Sequence, residues 1–159
     1  MSALGWDFPG VDEVIELQRL ALGRHGGAAS APKEGCIERS IAGAVNASLY
    51  ASTDGGEEPD LLLAAAHLLF YIAKNHCFAD GNKRAAWSAM VRALDMNGIR
   101  INADPAGAAD LVEGVASGAR TVRDVLFWLY EPGRLHERLL EQGEEPDELS
   151  EADETGAEG

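Results

Sequence analysis

Leu61-Leu62-Leu63-Ala64-Ala65-Ala66-His67-Leu68-Leu69-Phe70-Tyr71-Ile72-Ala73 is the longest apolar run in the chain, broken by one histidine. Its thirteen residues fall short of the roughly 20 that a membrane-spanning helix needs. Its apolar side chains point to every side of a 3.6-residue period, the pattern of a helix covered by several neighbours. The run therefore reads as the central helix of an all-α bundle, starting at Pro59 or Asp60 and ending near Asn75.

The flanking segments agree with that centre. Val11, Val14, Ile15, Leu17, Leu20 and Leu22 recur at helical steps and predict a first helix that stops at His25-Gly26-Gly27. Ile37, Ile41, Ala44, Val45 and Leu49 mark a second, followed by a polar loop over 53–59. A fourth helix opens at Asn82 or Lys83, turns Ala86, Met90, Ala93 and Leu94 inward, and closes at Asn97-Gly98. A short extended piece over 99–101 precedes a fifth helix over 105–117 and a sixth from Thr121, an N-cap candidate, to Leu129. A seventh helical stretch is expected over 135–140, ahead of an acidic, disordered end.

Composition sets outer limits on function. The 159 residues suit one domain, and 46% hydrophobic with 25% charged residues is a globular balance. The net charge is -14, yet eleven of the 27 acids and only two of the 13 bases lie in 131–159. So acidic a surface argues against duplex nucleic acid or an anionic membrane as a direct partner. Any phosphate site must be local. The first residues carry no basic flank before an apolar stretch, so a cytoplasmic location is expected. Cys36 and Cys77 form no Cys-x-x-Cys pair and read as small buried thiols rather than a disulfide framework. His67 and His76 stand half a turn out of phase and cannot share a metal on one helix face. His67 reads as a hydrogen-bonded core histidine and His136 as a surface residue. Trp6, Trp128 and Tyr130 read as packing residues at the domain's edges.

Between the third and fourth helices lies His76-Cys77-Phe78-Ala79-Asp80-Gly81-Asn82-Lys83-Arg84. Each residue type suits phosphoryl chemistry. His76, just past an apolar helix, can take a proton from an attacking hydroxyl. Asp80 can bind Mg²⁺ or orient that hydroxyl. Gly81 permits a tight turn, and the N–H groups that follow stand at the positive end of a helix. Lys83 and Arg84 oppose the helix macrodipole by about 0.3–1 kcal/mol each unless an anion arrives to reverse the sign. Arg84 offers a two-pronged fork and Lys83 a point charge. Phe78 anchors the loop to the core.

This segment resembles the signature of the Fic/Doc family, His-x-Phe-x-Asp/Glu-Gly/Ala-Asn-Gly/Lys-Arg, at every defined position. Lysine at 83, where the Fic branch usually has glycine, is similar to the Doc (death-on-curing) branch. The likeness extends over roughly 11–130, with 1–10 an N-terminal extension and 131–159 an acidic C-terminal helix or tail. It implies a compact single-domain bundle of about six helices. It also implies a toxin of a bacterial toxin–antitoxin system that uses ATP with Mg²⁺. The implied reaction is transfer of the γ-phosphate to a hydroxyl of an elongation factor Tu-like target, blocking translation.

Under that resemblance His76 is the general base and Asp80 positions the hydroxyl or the Mg²⁺. Lys83 and Arg84 hold the phosphates, while Gly81 and Asn82 form the cradle with backbone N–H and side-chain amide. The implied partner is an antitoxin with a disordered segment. Fic-type AMP transfer, transfer from another nucleotide-linked donor, and a catalytically silent binding module are the alternatives. The chain departs from the Doc pattern at Asn75 and Ser88, and at Trp87, whose bulk could narrow the nucleotide entrance. Ser30 to Gly35 also spells the Ser/Thr-x-x-x-Glu-Gly string of self-inhibited Fic proteins, but Pro32 argues against a helix there.

Overall fold

Asp60 opens the central helix: its backbone is extended and its carboxylate accepts the Leu62 N–H at 3.0 Å, satisfying one of the orphan donors of a first turn. The computed structural model describes residues 4–25, 31–55 and 59–137. Six helices follow in order: α1 (Val11–His25), α2 (Cys36–Gly55), α3 (Leu61–Asn75), α4 (Asn82–Asp95), α5 (Pro105–Ser117) and α6 (Val122–Leu129). Two short strands, β1 (Ile99–Ile101) and β2 (Leu135–Glu137), complete the described elements.

The expected central position of α3 is what the structure shows. It lies between α2 and α4, with α5 and α6 also against it, and Ala64, Ala65, Ala66, Leu68, Leu69, Ile72 and Ala73 are buried. Ala85, Ala86, Ala89 and Ala93 face inward from α4. With alanines on both sides, the two helices that carry the ends of the 76–84 loop can approach closely. α1 packs across α4, and an Arg92–Glu13 ion pair joins them. α6 starts in a capping box, with the Thr121 hydroxyl on the Asp124 N–H and the Asp124 carboxylate on the Thr121 N–H.

Three readings of the sequence need correction. The loop expected over 53–59 begins later, because α2 continues to Gly55. Helical hydrogen bonding extends from the anchored turns at Ala44 and Ser48 past the weak helix formers that follow. The helix expected over 135–140 is a strand in its described part. Leu135–Glu137 pairs antiparallel with Ile99–Ile101, Ile101 opposite Leu135 and Ile99 opposite Glu137. Arg134 holds it there, its guanidinium 3.8 Å over the Trp128 ring and bonded to the carbonyls of Asn102 and Trp128. Residues 138–140 and the acidic segment after them lie outside the described residues.

The described part of the N-terminal extension, residues 4–10, straps back onto the helices. Trp6 donates its ring N–H to Pro59 C=O, the Asp7 backbone exchanges two hydrogen bonds with the Asn97 side chain, and Pro9 is buried. Lastly, Cys36 and Cys77 are buried as expected, but they are joined in a disulfide with Cα atoms 5.5 Å apart. Their 41-residue separation left no local signal of the pairing.

The bond ties the start of α2 to the residue after His76, beside a Lys33 N–H to Cys77 C=O bond of 2.8 Å. Loop-closure entropy for that separation gives a stabilisation of about 4 kcal/mol. Thermal unfolding with and without a dithiol reductant measures it. The midpoint should fall on reduction, and an unchanged midpoint contradicts the cross-link's role.

Candidate functional site

The loop from His76 to Gly81 is built from its ends inward. His76 is the C-cap of α3 in the left-handed conformation, φ 51 and ψ 49, and it is the non-glycine residue with positive φ among those described. That region ordinarily favours Gly or Asn at a helix end. A histidine held there is backbone strain of the sort that concentrates at functional positions. Cys77 and Phe78 then turn into the core at 1% and 3% exposure. Burial of the Phe78 ring is the anchor the sequence suggested.

Asn82 closes the loop. Its Oδ1 accepts the Phe78 N–H and its Nδ2 donates to the Phe78 C=O, both at 2.9 Å. The side-chain amide, expected in the phosphate cradle, thus also fixes the loop geometry, with its second Nδ2 hydrogen uncommitted by these two bonds and Asn82 still on the cavity wall. Gly81 caps α4 with φ 75 and no side-chain cap. The first-turn N–H groups of α4 therefore receive no acceptor from the N-cap residue, the arrangement that suits an anion. Asp80 is exposed and its Oδ1 accepts the Gly81 N–H at 2.7 Å.

These residues surround one open cavity of about 330 Å³, lined by His76, Asp80, Gly81, Asn82 and Lys83 from the loop side and by Glu113, Ala116 and Ser117 from α5. A slightly larger hollow of about 380 Å³, beside Arg120, Phe127 and Trp128, gathers none of the candidate residues. Lys83 reaches across to α5, its Nζ 2.8 Å from Glu113 Oε1 with both side chains more than half exposed. Lys83 thus has a charge partner even though its helix end repels it. Arg84, exposed on the same turn, is outside the cavity lining.

Trp87, suspected of narrowing an entrance, instead meets Trp128 edge to face at 5.8 Å and takes no part in the cavity wall. Trp128 itself is 7% exposed and belongs to the core rather than its edge. His67 bonds Leu63 C=O at 3.0 Å within α3, away from the cavity. Glu34 lies in the turn ahead of α2, not on a helix, and Ser30 is outside the described residues.

Two contributors escaped the sequence reading. Glu113 needs the α4–α5 packing to come near Lys83, so nothing local announced it. Gln18, 2% exposed, donates from Nε2 to Asp80 C=O at 3.0 Å. Its spacing from Val14 and Ala21 places it on the buried stripe of α1, a signal that could have found it.

Among the described residues no three His, Cys, Asp or Glu side chains cluster as a ready-made metal centre. The donor set, one loop carboxylate beside an uncapped helix start, matches the way Mg²⁺ binds, through one or two carboxylates together with phosphate oxygens. No described helix is long and apolar enough to cross a membrane.

A helical fold with this loop between two central helices defines a class. The model of the Fic/DOC family matches residues 8–94, more than half of the chain, and the chain belongs to that family. Over 46 residues it is also 48% identical to toxin Doc of Mycolicibacterium smegmatis (strain ATCC 700084 / mc(2)155), a match covering 29% of this chain and 35% of that protein.

A polyphosphate brought to Lys83 would have to displace Glu113. Exposed ion pairs of this kind contribute little, so exchange is easy. Glu113→Gln should tighten binding of inorganic tripolyphosphate about two- to fivefold, read by titration calorimetry. Unchanged or weaker binding would show that Lys83 does not serve the anion.

Proposed function

We propose that this protein is a Doc-like toxin that transfers the γ-phosphate of ATP to a hydroxyl of a target protein. The observation that carries the reading is the single cavity that brings His76, Asp80, Lys83 and the uncapped start of α4 together. Family membership and the partial identity to a Doc toxin support it.

The residues divide the work. The first-turn N–H groups of α4 receive phosphate oxygens, and Lys83 exchanges Glu113 for them. Arg84, exposed on the same turn and outside the cavity lining, reaches the phosphates of ATP from the rim. Asp80 orients the acceptor hydroxyl and is the residue that would hold Mg²⁺. When bound, Mg²⁺ neutralises charge on the phosphates.

The hydroxyl oxygen attacks the γ-phosphorus, its proton passes to an imidazole nitrogen of His76, and the bond to the bridging oxygen breaks to release ADP. Catalysis of this kind is positioning and charge neutralisation, with no covalent enzyme intermediate required.

The proposed target is elongation factor Tu-like and the proposed partner a cognate antitoxin with a segment that folds on docking. The proposed compartment is the cytoplasm, where thiols keep most disulfides reduced.

Transfer from γ-labelled and, separately, α-labelled ATP to elongation factor Tu and to a cell lysate, with His76→Ala as control, tests the proposal. The expected result is γ-label on protein, reduced at least about a hundredfold by His76→Ala. Label from the α-position alone would replace phosphate transfer with AMP transfer. No label from either would point to another donor or to a silent module.

A further inference from the structure

Gln18 does more than fill the α1 stripe. Val14, Ala21 and Leu22 around it are apolar and buried, and an amide among them is costly to bury unless it is hydrogen-bonded. Its Nε2 donates to Asp80 C=O, while the N–H of the same peptide, on Gly81, goes to Asp80 Oδ1. One end of the Asp80–Gly81 peptide is thus held by α1 and the other by the Asp80 carboxylate.

A peptide plane can flip by rotating ψ of one residue and φ of the next in opposite senses. Gly81 stands at φ 75, and glycine accepts either sign of φ. Gly81 itself therefore does not choose the orientation of this plane, which leaves the two hydrogen bonds to it, one from α1 and one to the Asp80 carboxylate.

We propose that Gln18 is a positioning residue for the transfer reaction, fixing the Asp80–Gly81 peptide plane and through it the direction of the Asp80 carboxylate. This rests on the function proposed above. Packing alone does not call for an amide. A Cβ at Gly81 would meet Leu22 Cδ2 at 3.4 Å, Gln18 Nε2 at 3.6 Å and Gln18 Cγ at 3.7 Å, ordinary van der Waals spacings that a hydrocarbon side chain could also provide. His76 is placed by the end of α3 and Phe78 by the Asn82 clasp, so loss of the Gln18 donor acts on Asp80 and leaves the others in place.

Gln18→Leu, Asp80→Ala and the double variant test this, with Gln18→Met as the replacement should the leucine variant not fold. Two readouts are needed, label transfer dependent on His76 and the amide resonance of Gly81 in ¹⁵N spectra. Gln18→Leu should unfold at or above the wild-type midpoint, yet transfer about ten- to a hundredfold more slowly. It should cause no further loss in the Asp80→Ala background, because both changes disable one device, and the Gly81 resonance should shift and broaden.

An unmoved Gly81 resonance overturns the proposal. So does a loss that multiplies with that of Asp80→Ala. Since the resonance is read without turnover, a chain that transfers no label from any donor would refute the proposed function and still leave Gln18 tested.

Discussion

Two hydrogen bonds between the Asn82 side chain and the Phe78 backbone hold the rest of the site together. They bend the chain back within five residues, so that the end of α3 and the start of α4 open on the same cavity. The Phe78 ring pins that bend to the core, and the Cys36–Cys77 bond fastens it to α2. Without the clasp, His76 and the uncapped turn at Gly81 have no reason to face one volume. The α3–α4 packing beneath, alanine against alanine, supplies the rigid floor that a loop-borne site needs.

Much of this was legible in the residues because it is local. Apolar periodicity located six helices, and the Asp60 and Thr121 caps declared themselves by residue type. Phe78 and the order His76, Asp80, Gly81, Lys83 marked the loop before any coordinates. What escaped was non-local. Leu135–Glu137 has a composition that fits a helix as well as a strand, and only pairing with Ile99–Ile101 decides it. The disulfide and the Lys83–Glu113 pair join residues distant in sequence. The clasp that the Asn82 side chain forms on the Phe78 backbone is likewise absent from the sequence pattern, because it depends on the turn between them.

The electrostatics follow the same division. A chain of net charge -14 attracts a polyphosphate only where local geometry overrides the global field. The override consists of a helix start without a side-chain cap and a lysine whose carboxylate partner is exposed and exchangeable. Glu113 therefore has two effects. It holds Lys83 at the cavity wall, and under the proposed function it would give way to phosphate.

Under the proposed function the start of α4 is a polyphosphate cradle. Titrating ¹⁵N-labelled protein with Mg²⁺-ATP and following the backbone amides tests it most directly. The largest shifts should fall on Asn82, Lys83 and Arg84, with Glu113 responding as Lys83 leaves it. Shifts that spare these amides, or that gather around Arg120 and Phe127 instead, would contradict it.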